Sequence, residues 1–184
     1  MSRETPIKHA PILAFCICIG LTAPAVAEEP TTVIPKPLTA DWVMQEIAKH
    51  GPKHAVTVMW DQKRYSELLG NISAGKGEWI ALAPKIVSGT DAGASEGLGI
   101  SLAEALPKNP KAVLGILDQS KATLSSGRVC SIPFIEPEKD FLESYAKSAL
   151  AAIEAVSEAG LARQKELCLA ELRKSRGYSP DSKQ

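Results

Sequence analysis

The chain is predicted to be all-α, with about seven short helices in an irregular antiparallel bundle, HEAT-like helix pairs being one option for their arrangement, and with one disulfide. Apolar residues recur three and four apart through most of the segment from Trp42 to Leu172, the period of a helix with one buried face. Pro and Gly cut that segment into pieces of helical length. No stretch combines strict alternation with β-branched enrichment, the pattern of a strand.

Residues 28–38, EEPTTVIPKPL, carry three prolines and no helical period, so they read as an extended, mobile leader. The single helical domain is expected over residues 39–173. Thr39 or Asp41 can cap a first helix starting at Trp42, with Trp42, Val43, Ile47 and Ala48 as its apolar side. Gly51-Pro52 ends it, and His54 to Trp60 begins the next. Tyr65, Leu68, Leu69 and Ile72 mark a further helix that Gly70 weakens, and Gly75-Lys76-Gly77 is a turn.

Trp79, Leu82, Ala83 and Ile86 share a face between Glu78 and Val87, but Pro84 falls inside that run. Either the helix kinks there or it forms one turn and resumes. A Gly-rich corner from Ser88 to Gly97 leads into a helix through Leu98, Leu102 and Leu106. Asn109 caps the next helix with Pro110 at its first position, and Val113, Leu114 and Leu117 line it. Lys121 to Pro137 reads as loop. Glu138 to Glu158 is the longest helix, broken by Gly160, and Leu161 to Arg173 is the last. Residues 174–184 lack apolar content and read as a flexible tail.

The octet Ala55–Gln62, AVTVMWDQ, is echoed by Ala112–Gln119, AVLGILDQ, each copy following a Pro-Lys turn. Helix, Pro turn, helix is the repeating unit of α-solenoids. Antiparallel pairs also reuse such turns, and solenoids need three or more repeats, so shared turn chemistry is the favoured reading.

Residues 1–27 form a secretory signal peptide: a basic start at Arg3 and Lys8, an apolar run from Ile12 to Leu21, and an Ala25-Val26-Ala27 cleavage site. Cys16 and Cys18 leave with it. Export to the periplasm, with cleavage after Ala27, leaves about 157 of the 184 residues, enough for one core and with no transmembrane segment. Lys+Arg and Asp+Glu balance at 21 each. With no basic excess, nucleic acid is not expected as a partner. In an oxidising compartment Cys130 and Cys168 are expected to pair, closing a long loop worth roughly 4 kcal/mol in the chain-entropy treatment.

The candidate chemistry is sparse. Gly93-Ala94-Ser95-Glu96-Gly97 matches the hydrolase nucleophile elbow in letters, but that motif needs a strand-to-helix turn and a later histidine. Here the flanks are helical and the mature histidines come earlier. His50 and His54 stand four apart, the spacing of two metal ligands on one helix. Gly51-Pro52 interrupts that face and no glutamate lies between them, so they read as solvated turn histidines, with no metal site and no cofactor expected. Asn71-Ile72-Ser73 is a glycosylation sequon by pattern alone. Polar groups can converge at the corner, where Thr90, Asp91, Ser95 and Glu96 form the candidate binding site at a helix start. The competing reading makes Thr90 or Asp91 a cap and Glu96 a complement to the helix dipole.

The run from Glu78 to Leu117, EWIALAPKIVSGTDAGASEGLGISLAEALPKNPKAVLGIL, together with Cys130-Ser131-Ile132-Pro133 and Cys168-Leu169, resembles small exported helical proteins of Gram-negative bacteria that have no assigned activity. The resemblance implies a periplasmic setting and assigns no residue a catalytic role. The expectation is therefore a non-enzymatic periplasmic protein-binding module of adaptor, inhibitor or immunity-like type, whose partner is an envelope or exported protein. The alternative is a small cell-wall-active hydrolase using carboxylates among Glu78, Asp91, Glu96 and Glu104.

Overall fold

The computed structural model describes residues 33–176. The expected signal peptide, the first part of the expected leader and the residues beyond Arg176 lie outside the described residues. Within them the fold is all-α with no strand, and Cys130 and Cys168 are joined in a disulfide.

Residues 33–38 are non-helical, but they are tied to the domain and not loose as the sequence reading expects of the leader. Ile34 and Leu38 are buried. The Leu38 N–H donates to Glu67 Oε1 at 2.8 Å, and the Arg64 guanidinium donates to the Pro35 carbonyl at 3.0 Å. Helix α1 (Ala40–His50) starts behind Thr39, whose hydroxyl accepts the Trp42 N–H. Its inner face carries Val43 and, unexpectedly, Glu46; Ala48 is exposed. Gly51, at φ 86°, turns the chain into α2 (Pro52–Asp61), which opens on Pro52 and packs against α1.

Helix α3 (Tyr65–Ser73) follows, and its end is closed by the later Pro107–Pro110 turn. Lys108 Nζ donates to the Ser73 carbonyl at 2.5 Å and Asn109 Nδ2 to the Gly75 carbonyl at 2.9 Å. The run through Pro84 is not one helix. It is two single turns, α4 (Gly77–Ile80) and α5 (Ala83–Ile86), then a 3-10 turn at Val87–Gly89. Pro84 sits in the first turn of α5, where a missing N–H leaves no partner unsatisfied.

Helix α6 (Ala92–Ala105) is buried nearly all round: Ala94, Leu98, Gly99, Ser101, Leu102, Ala103 and Ala105 are all covered. Two buried tyrosines grip its backbone, Tyr65 from α3 through the Ala94 carbonyl at 3.1 Å and Tyr145 through the Ala103 carbonyl at 2.8 Å. Gly97 lets α3 approach, since a Cβ there would press on Leu69. Helix α7 (Pro110–Ile116) is capped by Asn109 as expected, the side chain accepting the Ala112 N–H at 3.2 Å. The two echoed octets thus both follow a proline in a helix's first turn.

The expected loop 121–137 contains a 3-10 turn at Ala122–Leu124 and a single helical turn, α8 (Ser126–Val129). Helix α9 (Lys139–Glu154) ends earlier than expected. Lys165 Nζ caps it, donating to the Glu154 and Val156 carbonyls, each at 2.7 Å. The last helix, α10 (Ala162–Arg176), runs past Arg173 and packs on α9 and α8. The disulfide joins its Cys168 to the residue that ends α8.

Candidate functional site

The Gly-rich corner is consumed by structure. Asp91 is the N-cap of α6, its carboxylate accepting the Ala94 N–H at 2.8 Å. Thr90 Oγ1 donates to the Val87 carbonyl at 2.8 Å and is hydrogen-bonded to Ser95 Oγ at 2.5 Å. Glu96 faces Arg128 at 3.7 Å, an exposed pair of small energetic weight. The four candidate residues are therefore brought together, and what they hold is the start of α6. The elbow-like Gly93–Gly97 lies within that helix, so Ser95 is not raised on a strand-to-helix turn.

Among the carboxylates of the hydrolase reading, Asp91 is taken up as a helix cap and Glu96 faces Arg128. Glu78 is exposed on α4, while Glu104 lies eight residues along α6 from Glu96, about 12 Å of helix rise. That exceeds the roughly 5–10 Å of an acid and base flanking a glycosidic bond. Glu104 sits near Tyr145, whose phenol is pushed well above its ordinary range by burial first and by Glu104 second. Burial, with Asp91 adding, does the same to Tyr65. In the sequon, Asn71 Nδ2 donates to the Glu67 carbonyl at 2.9 Å and Ile72 is fully buried.

A second polar cluster forms at the two turn histidines, whose side chains are 37% and 36% exposed, as solvated turn residues would be. What the sequence did not indicate is their meeting: the Gly51 turn folds α2 back on α1, so the break in the helix brings the rings together. Their centroids lie 4.7 Å apart. Both face Glu46, which is only 7% exposed. Glu46 Oε1 is 3.1 Å from His54 Nε2 and 3.9 Å from His50 Nε2. Glu46 escaped the sequence reading because the motif sought a glutamate between the histidines. The available signal was its place four residues before His50, on the same helical face.

The third feature is an exposed apolar ridge on the segment after the disulfide. Phe134 meets Tyr145 and Phe141 edge to face, with ring centroids 4.7 and 5.2 Å apart, and Phe141 and Tyr145 lie nearly parallel at 6.2 Å. Ile135 is 70% and Phe141 47% exposed beside this cluster. Ile132 and Glu136 hold positive φ, 58° and 44°, a conformation that a β-branched isoleucine adopts only under constraint. The sequence places residues 132–136 in a loop and Phe141 and Tyr145 on the apolar stripe of the longest helix; Tyr145 is buried there, but Phe141 stays half-exposed.

A depression of about 420 Å³ lies elsewhere, along Leu38, Asp41, Glu67, Lys76 and Trp79. Among the described residues no helix is long and apolar enough to cross a membrane. Comparison with known proteins returns no matching family model, no similar curated protein and no similar solved structure, so function is argued from these three features alone.

Proposed function

We propose that the protein is a non-enzymatic, exported helical module of the periplasm that binds another protein, an envelope component or an exported protein that it restrains. The observation that carries this reading is the ridge at Ile135 and Phe141. Exposed aromatic and aliphatic side chains on a braced aromatic base supply contact area at low entropic cost, as binding anchors do. The disulfide beneath the segment and the backbone constraint at Ile132 and Glu136 fix that surface before a partner arrives. Consumption of Thr90, Asp91, Ser95 and Glu96 in the start of α6 supports a binding role over a carboxylate-dependent one. The disulfide and the lack of a spanning helix among the described residues fit an exported chain.

The test is capture from an envelope extract with the oxidised protein and with Ile135→Asp and Phe141→Ser. The native surface should retain one partner in stoichiometric amount, and each substitution should release it while leaving the helical circular dichroism unchanged. Equal retention by the substituted forms contradicts the ridge as the contact. An empty capture together with digestion of cell-wall glycan would replace this reading with the hydrolase.

A further inference from the structure

Glu46, His50 and His54 are used neither by the core nor by the ridge. Their donor atoms all lie within 4.8 Å of one another. Among the described residues, Glu46 Oε1 and His54 Nε2 are the buried side-chain polar atoms that lack a hydrogen-bond partner. They face each other at 3.1 Å without the alignment of a donor and an acceptor. Both atoms are potential metal donors, buried side by side and satisfied by no other group. A carboxylate covered this completely is costly unless a positive charge compensates it.

We propose that Glu46, His50 and His54 bind a divalent d-block cation of the zinc class through two imidazole nitrogens and one carboxylate oxygen. Zinc bonds of about 2.0–2.2 Å in a tetrahedron place ligand atoms about 3.3 Å apart. The observed 3.1 and 3.9 Å bracket that spacing, and rotation of two partly exposed rings closes the difference. Two imidazoles with one carboxylate suit zinc, copper or nickel, whereas calcium and magnesium take all-oxygen shells. Three protein donors leave the fourth tetrahedral position to water or to a donor from a partner.

The fold prepares this geometry. Glu46 and His50 are one helical turn apart on α1, and Gly51 at φ 86° reverses the chain so that His54, in the first turn of α2, faces them. Gly89 braces the turn from outside, because any Cβ there would collide with the backbone of Pro52 and Lys53. The Gly-rich corner thus acts on this cluster as a support.

The competing account is a Glu46–imidazolium ion pair that needs no metal. Calorimetric titration of the oxidised chain with Zn²⁺ separates the two. One ion per chain should bind at micromolar affinity or tighter. His50→Gln and His54→Gln should each weaken binding by at least about 100-fold, since even outer partners of a metal site cost about 10–100-fold. Ring-nitrogen NMR signals of the native protein should shift at His50 and His54 on adding Zn²⁺, a readout independent of how the variants fold. No binding below millimolar Zn²⁺, unshifted His50 and His54 signals, or unchanged affinity in a folded His54→Gln variant would overturn the site.

Discussion

Asp91 accepts the Ala94 N–H at the start of α6, and a side-chain cap of this kind contributes about 1 kcal/mol. Asp91→Ala should therefore lower urea-unfolding stability by about that amount while leaving partner capture intact. Loss of capture at unchanged stability would make the corner a contact surface instead. Glu67 makes a different kind of link, since Arg64 beside it and the Leu38 N–H hold its carboxyl below the usual range. A lowered carboxylate stabilises the fold above its unfolded value, about 4.3, and that contribution fades as pH falls through the folded value. Amide exchange at Leu38 should quicken as pH drops below about 4, relative to its intrinsic rate, and Glu67→Gln should remove that dependence. A Leu38 protection factor flat through that range would contradict it. At this scale the sequence was most misleading at Glu46. A glutamate on an amphipathic helix reads as solvated, and only the fold-back at Gly51 shows it covered by two histidines.

Helix boundaries were legible where capping chemistry is local. Thr39, Asp91 and Asn109 each do at their helix starts what their side chains allow. Elements set by tertiary contact were not. The turn α8 has four residues and no period to read; it owes its place to packing on α6 and α10 and to the disulfide at its end. Likewise α9 stops at Glu154, before Gly160, where Lys165 from α10 donates to the Glu154 carbonyl and to that of Val156 just beyond it. The disulfide joins cysteines 38 positions apart. Its removal should lower stability by roughly 4 kcal/mol by constraining the unfolded chain less. Urea melts of the oxidised protein and of a Cys130→Ser/Cys168→Ser form measure this, and a difference under about 1 kcal/mol would mean that the bridge acts on something other than stability.

Across the described residues, one contiguous core runs from Ile34 to Leu172, with α6 at its centre and tyrosines from α3 and α9 bonded to its carbonyls. The all-α class followed from periodicity, since most core positions fall on the expected faces. The ridge did not: Ile135 lies in a loop with no period to read, and Phe141 lies on the apolar stripe of α9, which periodicity assigns to the core although the side chain stays half-exposed. Ile135 and Phe141 emerge as a surface only once Phe134 and Tyr145 are in place beneath Phe141. Contact through this ridge is the centre of the functional account, and hydrogen exchange with and without the captured partner tests it most directly. The account predicts slowed exchange over residues 131–145 on binding, with the α6 start at residues 90–96 unchanged. Protection at 90–96 with none over 131–145 would contradict it and return the binding site to the Gly-rich corner.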